Sequence, residues 1–587
     1  MTLLERTATD LDGVPAVPAP ARAVAARVAP WLAVGGSLAL WTLSLPGVQP
    51  RAMTSLGLVS VLPATAFVAL ALLGVSFCVT VWRRPASSAL LASHVVALVF
   101  MLYALPALVE PTARFAVTWR HAGVLQAILD GSYRDGGSNP YFEWPGFFVL
   151  AGFAAKAAGI GSVIGAANWA PLVFDLLYLG PLLLILRTLT IDPRLVWLAV
   201  WVFYLGNWVG QDYFSPQAFA YLLYLIVLAI LVTWMRPAGW PGSRVRPPVR
   251  AALIGIVLFI FAAMVVSHQL TPFALLSSTA VLVIARRCGA RGLPAAMTVI
   301  LLIWLAYMTA GFLGGHSSEI VGGIGHLDTT VGTNVGGRLR GDAGHLFVAR
   351  ARIGLTLCLW AVAFLAALWL RRRGHREPAP LLLFLAPFGL ALVQPYGGEI
   401  LLRVFLFALP FTAFFIASVM RRAPLPVAVA VTLLLTAGFL VTRYGNERMD
   451  WFTPGEVRAV DRLDALAPAG STLVAWSNSL PWEARHYTAH RYRSIVASKA
   501  WARIGALPSG SPRQIAAVAE YMRAQKGGAF LVLTRSQAAE VDITGYGPPG
   551  SLADVDVGLR RSPAFRRLYA NRDASVYGLA PQAGRTP

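Results

Sequence analysis

Long apolar runs recur along the whole chain. PRLVWLAVWVFYLG and AFAYLLYLIVLAILVTW are two of them, separated only by Asn207-Trp-Val-Gly-Gln-Asp-Tyr-Phe-Ser-Pro-Gln217. About 18–20 consecutive apolar residues are enough to cross a bilayer as a helix. Candidate spans fall near 30–47, 56–81, 88–109, 169–187, 194–210, 216–235, 251–268, 271–285, 292–314, 348–370, 379–395, 400–420 and 424–442. Hydrophobic residues make up 57% of the 587, and charged residues only 13%. That composition excludes a soluble globular chain and points to an α-helical polytopic membrane protein of about thirteen spans.

The net charge of +22 comes from arginines grouped between the apolar runs. The groups are Arg83 and Arg84; Arg187 and Arg194; Arg236, Arg244, Arg246 and Arg250; Arg286, Arg287 and Arg291; Arg371, Arg372, Arg373 and Arg376; and Arg421 and Arg422. Short basic clusters at span ends mark cytoplasmic loops, so the charge does not indicate nucleic acid. All of them fall on one side only if the N-terminus is cytoplasmic and residues 144–160 (WPGFFVLAGFAAKAAGI) do not cross. That run is therefore expected to be a re-entrant or interfacial helix. A full crossing there, with an even number of spans, is the competing arrangement.

Three regions follow. Residues 1–28, rich in Ala, Pro, Val and Arg, are expected to form a disordered cytoplasmic tail, and the first apolar run to be a retained anchor. Residues 29–442 form the transmembrane domain, with outer loops at 110–168, 207–215, 267–271, 315–346 and 395–399. Residues 443–587 have the composition of an extracytoplasmic α/β domain. STLVAW (471–476) and AFLVLT (529–534) read as buried strands, ASVYGL (574–579) as a last short strand, and 455–466 and 511–525 as helices. No phosphate loop, nucleophile elbow or dinucleotide fingerprint is present. Cys78, Cys288 and Cys358 have neither disulfide nor zinc spacing.

The unusual polar residues gather in the outer loops. Glu110 ends a span and opens the loop EPTARFAVTWRHAG, whose 114–129 segment is a surface helix carrying Arg120 and His121. Asp130 and Asp135 have the setting of turn caps. Tyr141 and Trp144 follow in YFEWP, as interface aromatics or cavity walls. Asp212 sits in the shortest acidic loop. It is either a solvated or capping acid or a carboxylate facing a polar cavity, and Ser215-Pro216 already supplies a helix start. His268 and Gln269 form a tight turn in SHQLTPF. Glu399 and Arg403 share one helix face. They can satisfy each other, or Arg403 can hold an anion such as a phosphate. The Gly-rich stretch 315–346, with His316, Glu319, His326, Asp328, Arg338, Arg340, Asp342 and His345, reads as a loop closing over a substrate rather than a metal site.

Many spans, a first outer loop opening on an acid and holding a surface helix, a second short acidic loop and a basic residue in a later span resemble the GT-C superfamily. The pieces EPTARFAVTWRHAG, YFEWPGFF, NWVGQDYFSPQ, SHQLTPF and GGEILLRVFLFALP are similar to an actinobacterial branch of it. The resemblance covers about 88–442, and the tail resembles the small outer domain of many members. It implies a glycosyltransferase in the bacterial cytoplasmic membrane. Such an enzyme moves a hexose or pentose from a polyprenyl-phosphate donor to a glycan, lipid or protein hydroxyl. In that scheme Glu110 or Asp212 is the base, and Glu110 lacks the adjacent second acid seen in many relatives. Arg403 clamps phosphate, and Arg120, His121, Tyr141, Trp144, His268, Gln269 and Glu399 line the pocket. No cofactor or metal ligand set is assigned, and the scheme leaves room for a divalent cation. A lipid-linked glycan ligase or polymerase, a transporter or flippase, and a scaffold presenting the outer domain are the competing classes.

Overall fold

The computed structural model describes residues 21–83, 87–132, 139–237, 245–310, 339–392 and 399–581. Eight helices are long and apolar enough to cross a bilayer: Val28–Gly47, Ala64–Trp82, Ala170–Leu189, Pro216–Trp234, Pro247–Val265, Ala343–Arg372, Ile400–Met420 and Leu425–Tyr444. The chain is a multi-pass membrane protein. The other expected spans are shorter helices, including Ser88–Tyr103, Pro193–Gly206, Thr271–Ile284 and Leu293–Tyr307. The run 88–109 breaks at Ala104, where Pro106 starts a second, five-residue helix, Leu105–Val109. The run 379–395 is an α-helix only to Leu385, then a tighter 3₁₀ turn, Ala386–Leu392. Length alone therefore does not deliver thirteen complete spans. The Gly146–Ala157 helix has 12 residues, or about 18 Å at 1.5 Å per residue, well short of a bilayer. A helix begins at Ala21, inside the stretch expected as tail, and residues 1–20 lie outside the described ones.

The Ile400–Met420 helix is buried on nearly every side in the bundle, packed on Pro193–Gly206 and Ala343–Arg372. Gly206 makes close packing against it feasible, since a Cβ there would meet Leu409 Cδ1 at 2.9 Å. Sequence signals set local starts. Ser215 Oγ accepts from Ala218 N at 3.1 Å, and Pro216 takes the first helical position.

The basic clusters meet one another at one end of the bundle. Arg194 Nη2 donates to Arg83 O at 2.5 Å, Arg236 Nη2 to Thr188 O at 3.3 Å, and Arg421 Nε to Asp192 Oδ2 at 3.1 Å. Arg287 pairs with Glu377 at 2.9 Å.

At the opposite end sits the C-terminal domain. Its five-stranded sheet has the order β2-β1-β3-β5-β4, with β1 Thr472–Ala475, β2 Arg491–Ser494, β3 Ala529–Thr534, β4 Phe565–Ala570 and β5 Ala574–Leu579. β1 pairs in parallel with β2 and β3, and β5 runs antiparallel to β3 and β4. Both faces are covered. Val474, Leu531 and Tyr577 pack on one side with the Pro512–Arg523 and Ser551–Arg561 helices; Leu473, Val532 and Val576 pack on the other with Pro454–Leu466.

This domain clasps the first outer loop. Phe115 N donates to Asp450 O at 2.8 Å, Thr112 Oγ1 to Phe452 O at 2.8 Å, and Asn139 Nδ2 to Tyr487 Oη at 2.7 Å. Gly123 permits the closest approach: a Cβ there would lie 1.8 Å from Glu483 O.

Candidate active site

The Ala116–Leu129 helix starts after Phe115, which takes a positive φ of 64°. It carries Trp119, Arg120 and His121 on successive positions. Trp119 is anchored by Nε1 donating to Ala113 O at 2.9 Å. Arg120 reaches the outer domain and pairs with Glu483. Burial works against charging Arg120, yet the Glu483 carboxylate raises its proton affinity above the ordinary value.

His121 turns the other way, into the membrane domain. A carbonyl only accepts, so its Nδ1 must carry the hydrogen that reaches Phe214 O at 2.8 Å. Its ring stacks on Tyr213 (centroids 5.7 Å, 10°) and meets Tyr141 and Phe148 edge-on at 4.9 and 5.5 Å. Nε2 is buried and has no hydrogen-bond partner among the described residues. Burial above all, with Arg120 adding to it, lowers its pKa to about 4, so the ring is neutral.

His268 lies in the turn before the Thr271–Ile284 helix. Its Nδ1 accepts from Leu270 N and Thr271 N, both at 3.2 Å, and contacts Thr271 Oγ1 at 3.0 Å. The ring thereby caps the helix start, and backbone donors at Nδ1 force the hydrogen onto Nε2. Burial, then Arg403 and His121, lower its pKa to about 3.

Arg403 sits one turn into the Ile400–Met420 helix and is only 6% exposed. Its Nη2 donates to Glu399 Oε2 at 2.7 Å. The pair expected from spacing forms, yet Nε and Nη1 remain buried with no partner among the described residues. Gln217 is buried too, and neither of its amide atoms has a partner there.

These groups enclose one small cavity of about 90 Å³. Its walls include His121, Tyr141, Trp144, His268, Gln269 and Arg403, six of the residues singled out from the sequence. Tyr213, Ser215, Gln217 and Ser267 complete the polar lining and were missed. Each stands within a few residues of a residue that was named, in NWVGQDYFSPQ or SHQLTPF, and that proximity was the available signal. Gly146 helps close the wall. Its N donates to Val266 O at 2.9 Å, and a Cβ there would meet Ser267 Oγ at 2.6 Å.

Glu110 and Asp212 are not in that lining. Glu110 is buried in a carboxyl cluster with Glu447 and Asp450, around Arg114, which donates to Glu447. Burial and the neighbouring Glu447 hold the Glu110 carboxyl well above the usual range. Asp212 accepts from Arg443 Nη2 at 2.8 Å, with both side chains almost fully buried. Burial pushes its pKa up, but Arg443 outweighs that and holds it below the usual value, ionised. Asp175, wholly buried and held by Asn207 Nδ2 at 3.0 Å, lies beside this pair. The two acids thus lie outside this cavity lining, Asp212 in an ion pair with Arg443 and Glu110 beside the Arg114–Glu447 pair. Arg120 is likewise drawn to Glu483 and is absent from the cavity walls. Of the 315–346 loop, residues through Arg338 lie outside the described ones, as does Asp135.

A larger cavity of about 460 Å³ opens on the other face of the Ile400–Met420 helix. Leu401, Leu402, Phe405 and Trp360 give it apolar walls, with Arg340 and Arg352 also lining it, and it shares no lining residue with the first. Among the described residues, no group of three or more His, Cys, Asp or Glu is placed to hold a metal ion.

No family model matches the chain, and no curated protein is similar to it in sequence. Its fold is found among solved structures. ArnT from Cupriavidus metallidurans bound to undecaprenyl phosphate superposes with a TM-score of 0.51 at 12% identity, over 84% of this chain and 100% of that one. Lower scores are given by the oligosaccharyltransferase AglB from Archaeoglobus fulgidus with an inhibitory peptide and dolichol phosphate (0.45, 14% identity, 89% of this chain and 75% of that). The arabinofuranosyltransferase AftD from Mycobacteria gives 0.46 at 14% identity, over 84% of this chain and 40% of that. The chain shares the overall fold of ArnT, a mostly helical bundle, here with a small C-terminal sheet domain as the sequence leads one to expect.

Proposed function

We propose that the chain is a glycosyltransferase that moves a sugar from a polyprenyl-phosphate donor to an acceptor hydroxyl on a glycan, lipid or protein. The single observation that carries this reading is Arg403. Its buried guanidinium directs Nε and Nη1 at no described partner, in a cavity that also receives a neutral imidazole N–H from His268. A buried cation with unmet donors is expensive unless an anion completes it, and a guanidinium fits phosphate oxygens two at a time. The ArnT structure of the same fold holds undecaprenyl phosphate, which supports the choice of anion.

In this reading the bond from the anomeric carbon to the phosphate oxygen breaks in the cavity. Charge builds on the departing phosphate, where Arg403 and the His268 Nε2–H stabilise it. Glu399 orients Arg403, Gln217 and Gln269 hold sugar hydroxyls, and Tyr141 and Trp144 wall the ring. The isoprenoid chain lies in lipid along Val149, Leu150 and Phe153, the exposed face of the Gly146–Ala157 helix next to Trp144. Glu110 and Asp212 support the walls. The basic clusters support a cytoplasmic setting for their end of the bundle, with the reaction facing outward from the bacterial cytoplasmic membrane.

The test is transfer of label from polyprenyl-phosphate pentoses and hexoses to alkyl glycosides, with the protein in nanodiscs. Arg403→Ala is expected to lose about 10²–10³-fold in rate, and Arg403→Lys nearly as much, because a point charge does not reproduce the fork. Wild-type activity in both variants would overturn the reading. So would donor flipping across vesicles with no bond transferred.

A further inference from the structure

The two histidines of the cavity have opposite polarity, and the backbone sets it. His268 Nδ1 receives main-chain N–H groups, so its Nε2 offers a hydrogen. His121 Nδ1 gives its hydrogen to Phe214 O, so its Nε2 offers a lone pair. That lone pair is buried, unpartnered among the described residues, and belongs to a ring lining the cavity. Neither partner can swap roles, because a carbonyl cannot donate and an amide N–H cannot accept. The cavity therefore has a donor side, His268 and Arg403, and an acceptor nitrogen at His121.

We propose that His121 Nε2 is the base that takes the proton from the incoming hydroxyl; this rests on the transferase reading above. The acceptor oxygen forms its bond to the anomeric carbon as the bond to phosphate oxygen breaks. The electron pair leaves on the phosphate, the hydroxyl proton ends on Nε2, and polyprenyl phosphate departs as the dianion. The imidazolium then returns its proton to water. The acids are poorly suited to this step. Neither lines the cavity, and Asp212 is committed to Arg443.

The groups facing His121 agree with the role. Arg120, on the same helix, is engaged by Glu483; Tyr141 meets the ring edge-on and Tyr213 lies on its face; His268 and Arg403 stand elsewhere on the cavity wall. A phosphate held by Arg403 and His268 adds negative charge to the cavity, which raises the proton affinity of His121 when the donor is bound.

His121→Asn separates the role from the fold, since its amide N–H still reaches toward Phe214 O while the Nε2 lone pair is lost. In the nanodisc assay, kcat is expected to fall about 10²–10³-fold with the donor KM nearly unchanged. The acid limb of the wild-type kcat profile should also disappear. His121→Gly should recover part of its kcat on addition of imidazole. Wild-type kcat in His121→Asn would overturn the assignment, as would a loss accompanied by a matching fall in melting temperature without imidazole rescue of His121→Gly. Both results require an active wild type. A folded wild type that transfers no sugar from any donor tested would overturn the transferase reading together with this assignment.

Discussion

Two kinds of buried charge stand near each other in this molecule. In the Asp212–Arg443 pair, each charged group is answered by the other from the chain itself. In the cavity, Arg403 and His121 keep polar atoms that no described residue answers. Burying an unanswered polar group costs free energy, whereas a completed pair recovers much of the cost. A fold keeps an unanswered group where something else completes it. By this contrast Asp212, paired with Arg443, stands apart from Arg403, whereas Glu110, whose two carboxyl oxygens are buried without a hydrogen-bond partner among the described residues, falls on the unanswered side.

Breaking the completed pairs should damage stability before chemistry. Asp212→Asn leaves Arg443 buried without its carboxylate, and a loss of about 3–5 kcal/mol is expected in detergent melting experiments. Adding Arg443→Met should restore a large part of it, because the uncompensated charge is then gone. Full stability in the single variant would erase the contrast.

A smaller effect should follow at the joint with the outer domain. Gly123→Ala places a Cβ against Glu483 O, and overpacking of this kind costs about 1–3 kcal/mol. Faster proteolysis within 443–587 is the measurement. Unchanged protection would show that the contact is loose.

The smallest expected effect concerns pH. Burial, with Glu447 next, raises Asp450 to about 7 against the pull of Arg114, and Glu110 and Glu447 are raised as well. Between pH of about 4 and about 7 the folded chain therefore holds protons that the unfolded chain has released. The contribution of this cluster to stability falls as pH rises through that window. Melting temperature should drop by a few degrees from pH 5 to 7.5, and Asp450→Asn should flatten the trend.

The eight long helices were legible because their apolar runs are long, and Ser215-Pro216 announced its helix plainly. Arg403 was visible as a cation inside an apolar run, and His121 and His268 as imidazoles at loop positions. The partners were not. Arg443 and Asp175 also sit in apolar runs, TAGFLVTRYG and APLVFDLLYLG, and carried the same signal as Arg403. What sequence cannot supply is which of several such charges meet, because the pairs join residues more than 200 apart. The edge strands β2 (RYRS) and β4 (FRRLYA) escaped notice for a different reason. Edges carry charges that blunt pairing with other chains, and this hides their alternation.

Glu483 and Tyr487 come from the last quarter of the chain, yet they brace the helix and turn that carry His121 and Tyr141. Ribosomes make those braces long after the wall they steady. A nascent copy arrested in the membrane would own every residue of the chamber and still lack its buttress.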